Sequence, residues 1–161
     1  DENLYGYVQN NPVNRVDPGG FYGRNVHYDL TYQLSRAVGF TESEAAIIAG
    51  ADQGMDEGFS NPFNPLGGTQ SHFMSREYAL HGLDQALQQN NLQYFGQMLH
   101  VFQDTYSHAG YNWYTGGHIA AGTAPDEYCP SSERGTAMRN ETTLFLMMLE
   151  DRYHIKIRAA R

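Results

Sequence analysis

The stretch "LHVFQDTYSHAG", residues 99–110, places His100, Asp104 and His108 at i, i+4 and i+8. On an α-helix these positions drift by only about 40° per step, so all three side chains leave one face. Phe95, Met98, Leu99 and Phe102 supply apolar neighbours, which predicts a helix that is at least partly buried. Imidazole and carboxylate groups carried into an interior need partners, because buried unpaired polar groups are costly. Both the ligand face and the apolar residues of this helix need covering, so it belongs at the centre of its fold.

The rest of the chain offers helices to cover it. "VHYDLTYQLSRAVG" (26–39) carries Leu30, Leu34, Ala37 and Val38 at helical spacing and ends at Gly39, a natural helix stop. "TESEAAIIAGADQGMDEG" (41–58) opens with Thr41 and Glu44 in a capping-box pattern and turns Ala45, Ile48 and Ala49 inward. Further helices are predicted over 71–89 and 91–109, split by Asn90-Asn91. A last one runs from about Glu133 to Tyr153, with Leu144, Phe145, Met148 and Leu149 as its apolar face. "FSNPFNPLGGTQ" (59–70) and "YNWYTGGHIAAGTAPDEYCPSS" (111–132) read as irregular connections. The predicted fold is an all-α bundle.

Residues 1–21, "DENLYGYVQNNPVNRVDPGGF", read differently. Asn10-Asn11-Pro12 and Asp17-Pro18-Gly19-Gly20 are breakers around a short strand-like Leu4–Val8, so this is a non-helical leader to a helical domain over 22–161. At 161 residues the chain can bury one core with a short appendage. Its net charge of −8 is a poor match for long phosphate backbones, though bound divalent cations would offset that. No apolar run approaches the roughly 20 residues needed to span a bilayer, and no secretory segment opens the chain. The single Cys129 excludes an internal disulfide and any multi-cysteine metal site.

Metal ligands would therefore be histidines and carboxylates, and almost every predicted element offers one. His27 opens the first helix, Asp52 and Asp56 lie i, i+4 on the second, and His72 begins the third. His100, Asp104 and His108 line the fourth, His118 and Asp126 follow in a loop, and Glu141 falls early in the last. Helical bundles build multi-metal sites from such inward-projecting ligands. Imidazole nitrogen and carboxylate oxygen suit Zn2+, and two or three ions clustered there would support in-line phosphoryl displacement. The competing reading is a packing network in which Asp104 pairs with His100 and His108. His81 and His154 read as surface or packing residues. Lys156, Arg158 and Arg161 read as a solvated tail, and Tyr106, Tyr111, Trp113 and Tyr114 as pocket wall or aromatic core.

Two resemblances give these patterns a context. "NLYGYVQNNPVNRVDP" followed by "GGF" closely resembles the end of the core repeat of Rhs polymorphic toxins. That resemblance implies autoproteolysis after Phe21 (Leu is usual there) and release of residues 22–161 as a toxin delivered into a target cell. It also implies an Rhs core shell before release and a cognate immunity protein. "FGQMLHVFQDTYSHAGY" is similar to the "LHxxQDxxSHAG" helix of the zinc-dependent phospholipase C and S1–P1 nuclease superfamily. "HYDLTYQLSRAVGFTESEAAIIAGADQGMDE", "SHF" (71–73) and "GHIAAGTAPD" (117–126) resemble other blocks of its small bacterial members. This implies His27, His72, His100, Asp104, His108 and His118 as zinc ligands, with Asp104 as the bridge. Either Asp52 or Asp56 joins them, as ligand or as the group that orients or deprotonates the attacking water. Thr123 stands where those relatives carry a second histidine, which leaves Asp126 and Glu141 as candidate substitutes. In the nuclease branch an N-terminal aromatic residue ligates zinc through its free amine, which would assign that role to Tyr22 after cleavage. The implied activity is phospholipase C-like hydrolysis of phospholipid at a membrane surface. An S1–P1-like nuclease is the alternative, with nucleic acid the less favoured substrate. A non-catalytic, metal-stabilised interaction module is the alternative of another class.

Overall fold

The computed structural model describes residues 23–57, 74–107 and 129–159. Among them it is helical with no strand, an all-α bundle as the periodicity predicts. A π-helical stretch, Asn25–Leu30, runs directly into α1 (Thr31–Val38). Then come α2 (Glu42–Gln53) with a 3-10 turn at Gly54–Asp56, α3 (Arg76–Gln89), α4 (Leu92–Ser107) and α5 (Glu133–Ala159). No helix among the described residues is long and apolar enough to cross a membrane.

The helix ends follow local chemistry. α1 stops at Gly39, whose φ of 120° suits glycine, and the Phe40 N–H reaches back to the Ser35 carbonyl. That turn buries Phe40 in the core. Thr41 then caps α2: its hydroxyl accepts from Glu44 N–H, and the Glu44 carboxylate accepts from Thr41 N–H at 2.9 Å. Asn90, at φ 52°, ends α3, and the Asn91 side chain caps α4 by accepting from Tyr94 N–H.

α4 occupies the centre, buried at Phe95, Met98, Leu99, Val101 and Phe102 on its apolar sides and at His100, Gln103 and Asp104 on its polar one. Burying each of these apolar side chains contributes about 1.5–3 kcal/mol. Gly96 lets α2 and α4 pack closely. A methyl at that position would lie 2.8 Å from Ala51 Cβ and closer still to the Ile48 carbonyl oxygen, so α2 and α4 touch backbone to backbone there. Four residues further along each helix stand Asp52 and His100. The absent side chain at Gly96 is what brings those two together.

Three expectations need correction. α2 ends at Gln53, so Asp56 lies on a 3-10 turn rather than on the same α-helix as Asp52. α5 continues to Ala159, so Lys156 and Arg158 belong to a helix and not to a tail. Its inward face is Met138, Thr142, Leu146 and Leu149 with Phe145 beside them, whereas Leu144 and Met148 are exposed. Residues 144–149 are six consecutive apolar side chains, and the i, i+3, i+4, i+7 set that meets α1 and α4 includes only half of them.

Candidate metal centre

Five of the residues singled out in the sequence meet in one place. His27 comes from the π-helical stretch, Asp52 from the last turn of α2, Asp56 from the 3-10 turn, and His100 and Asp104 from adjacent turns of α4. Four of these side chains are fully buried, and Asp56 is 15% exposed at the rim. The two imidazole rings face each other with centroids 4.1 Å apart. Asp52 Oδ1 lies 2.9 Å from His27 Nδ1 and 3.4 Å from His100 Nδ1, and Asp56 Oδ1 lies 3.7 Å from His100 Nε2. Asp104 spans the pair: Oδ1 is 3.5 Å from His27 Nε2, and Oδ2 is 3.3 Å from His100 Nε2. His27, Asp52 and His100 each offer a ligand atom within 4.8 Å of the other two, and this group could hold a metal ion.

Electrostatics favour positive charge there. With both imidazoles neutral, three carboxylates would share a buried site, and carboxylates resist such burial without positive charge nearby. In the absence of metal, protons fill that need. Burial opposes charging His27, but the Asp52 carboxylate, hydrogen bonds to Asp104 and Asp52, and Asp56 raise its pKa well above 6.5. Burial and the neighbouring His27 oppose charging His100, yet Asp104 and Asp52 raise it to about 9. A divalent ion can take over from those protons, since metal ligation requires neutral imidazoles.

Comparison of the chain with family models, with curated proteins and with solved structures gave no match.

Glu141 stands apart from the cluster. Its carboxylate pairs with Arg76 and accepts from the Tyr106 hydroxyl at 2.7 Å, tying α5 to α3 and to the outer face of α4. Arg76 also lies over the Phe102 and Tyr106 rings, so this corner is an ion pair on an aromatic shelf. His72, His108, His118 and Asp126 lie outside the described residues, as do Tyr22, Tyr111, Trp113 and Tyr114. His81 is exposed, and His154 packs on Phe40 and Tyr153 beside Glu150.

Sequence reasoning passed over two further buried polar side chains, Thr31 and Gln103. The Gln103 amide accepts from His27 Nδ1 at 2.8 Å and donates to Thr31 Oγ1 at 3.0 Å, and the Thr31 hydroxyl donates to Asp52 Oδ2 at 2.8 Å. The available signals were weak: a glutamine beside Asp104, one of three on the same helix, and a threonine four residues after His27.

Proposed function

We propose that the chain is a zinc-dependent phosphodiester hydrolase of the phospholipase C type, holding two or three Zn2+ ions. The observation that carries this reading is the convergence of His27, Asp52, Asp56, His100 and Asp104, from four helical elements, on one buried place. Imidazole nitrogens and carboxylate oxygens form a donor set that suits zinc, and the surplus of carboxylates suits a divalent cation. Zinc bound there supplies Lewis acidity, which activates water near neutral pH and offsets charge on phosphoryl oxygens.

The chain's own side chains divide the remaining work. His27 and His100 would offer neutral nitrogen donors to zinc, and Asp104, with one oxygen toward each imidazole, would be the carboxylate shared between them. Asp52 is fully buried and accepts from Thr31, which suits a fixed ligand. Asp56 is 15% exposed, so solvent reaches it, and it is the better placed of the two to orient or deprotonate an attacking water. The acidic chain favours a lipid or other small diester over long nucleic acid. The leader's resemblance to an Rhs core supports a secreted toxin, kept by an Rhs shell before release after Phe21 and neutralised by a cognate immunity protein.

The test is elemental analysis of protein purified without chelator, followed by release assays on phospholipid, single-stranded DNA and RNA. At least two zinc ions per chain and turnover of phospholipid are expected. Asp104→Ala should lose turnover and at least one ion while keeping its helical circular dichroism. Protein free of transition metal would refute the reading. Cleavage of nucleic acid instead of lipid would assign the nuclease activity, and zinc binding without hydrolysis would leave a metal-stabilised interaction module.

A further inference from the structure

The hydrogen-bond chain His27–Gln103–Thr31–Asp52 can run in one direction only. Asp52 is a carboxylate and only accepts, so the Thr31 hydroxyl, 2.8 Å from Oδ2, must donate to it. The other acceptor near that hydroxyl is the Val26 carbonyl at 3.3 Å, a longer contact to a neutral group. With its proton committed, Thr31 Oγ1 accepts from the Gln103 amide nitrogen at 3.0 Å. That orients the amide and leaves Gln103 Oε1 facing His27 Nδ1 at 2.8 Å, where an oxygen can only accept. Asp52 Oδ1, 2.9 Å from the same nitrogen, is an acceptor as well. Every neighbour of Nδ1 named here calls for a proton on Nδ1.

We infer that Gln103 and Thr31 are positioning residues that hold neutral His27 as the Nδ1–H tautomer, with its Nε2 lone pair turned to the cation beside Asp104. The inference rests on the metal reading above and adds two residues to it. It also links two ligands from different elements, because one unbroken chain fixes the His27 ring and one oxygen of Asp52. Partners of this kind, which touch a ligand rather than the ion, typically change metal affinity by about 10- to 100-fold.

The experiment pairs conservative and disruptive variants. Thr31→Ser keeps the hydroxyl and Thr31→Val removes it at nearly constant volume. Gln103→Leu removes both ends of the amide, and Gln103→Glu keeps an acceptor for His27 but cannot donate to Thr31. Zinc affinity is read by chelator competition, and the His27 tautomer by long-range 1H–15N NMR of the zinc-loaded protein. Thr31→Val and Gln103→Leu should bind zinc about 10- to 100-fold more weakly. Thr31→Ser should restore wild-type affinity, and wild-type His27 should carry its proton on Nδ1. A proton on Nε2, or equal zinc affinity in Thr31→Val and Thr31→Ser, would overturn the inference. If Gln103→Leu does not fold, the Thr31 pair and the wild-type spectrum decide it. Wild-type protein that takes up no zinc overturns the metal reading itself, whereas zinc-binding wild type with insensitive variants overturns this relay alone.

Discussion

Gly96→Ala tests how the site is built without altering any ligand side chain. The new methyl would sit 2.8 Å from Ala51 Cβ and closer to the Ile48 carbonyl oxygen. Carbon atoms pack best at about 3.5–4.0 Å, so α2 and α4 must separate by about 1 Å or tilt. Backbone blocks one side, and rotamer changes cannot relieve it. Overpacking of this kind costs about 1–3 kcal/mol. Alanine's better helix propensity returns about 1 kcal/mol, leaving a net loss of about 0–2 kcal/mol, small enough for the bundle to fold. The site is far less tolerant. The methyl would press within 3.2 Å of the Asp52 backbone nitrogen itself, His100 lies one turn further along α4, and metal–ligand distances hold to about 0.2 Å. Zinc affinity should therefore fall by at least about tenfold while the metal-free protein still unfolds cooperatively, its urea midpoint lowered by about 1 M or less. Gly82→Ala is the control. The three atoms nearest its methyl all belong to the Met98 side chain, with Cγ at 2.7 Å, and a methionine can change rotamer. Zinc titration by chelator competition, alongside urea melts, compares the two. Wild-type zinc affinity in Gly96→Ala would refute the argument that close helix contact sets the ligand spacing.

Four more outcomes are expected. Metal-free protein should lose stability as pH rises from about 6.5 through about 9, because raised pKa values at His27 and His100, set against Asp52, Asp56 and Asp104, contribute stability that is complete below the unfolded value and gone above the folded one. Zinc binding should strengthen over the same window and release protons, which calorimetry in buffers of different ionisation enthalpy will count. Gly39→Ala should destabilise the chain by about 1 kcal/mol or more, since φ is 120° and the methyl would lie 3.2 Å from a Glu150 oxygen; a urea midpoint at or above wild type would contradict it. A chain beginning at Tyr22 should bind zinc more tightly than one retaining residues 1–21, because a free α-amine is a ligand that an amide nitrogen cannot replace; equal zinc content and turnover would discard activation by cleavage.

Much of this architecture was legible where chemistry is local. Gly39, the Thr41–Glu44 pair and Asn90-Asn91 mark helix ends through their own backbone preferences and capping oxygens, and each does so in the structure. His100 and Asp104 were legible because helical spacing alone puts them on one face. What escaped depends on partners far along the chain. No periodicity distinguishes Leu146 from Met147 within an unbroken apolar run; only the positions of α1 and α4 do so. Glu141 has the right chemistry for a ligand, but Arg76 and Tyr106 hold it elsewhere. Gln103 and Gly96 look unremarkable in sequence, since one matters for a contact 76 residues away and the other for an atom it lacks.

The π-helical stretch Asn25–Leu30 carries a consequence for how this chain tolerates change. A π turn accommodates a surplus residue, and here it closes at Thr31, whose N–H reaches back to the Val26 carbonyl. Deleting Arg24 or Asn25 leaves the count between Val26 and Thr31 unchanged and rotates only what precedes the deletion, by about 100°. A deletion between His27 and Thr31 would instead swing His27 itself away from Gln103 and Asp52. Conservative replacements at Asn25 or Tyr28 leave the count untouched. Over residues 28–30, between His27 and Thr31, chain length rather than side-chain identity is the guarded quantity, and single-residue deletions there should silence the site where most substitutions would not.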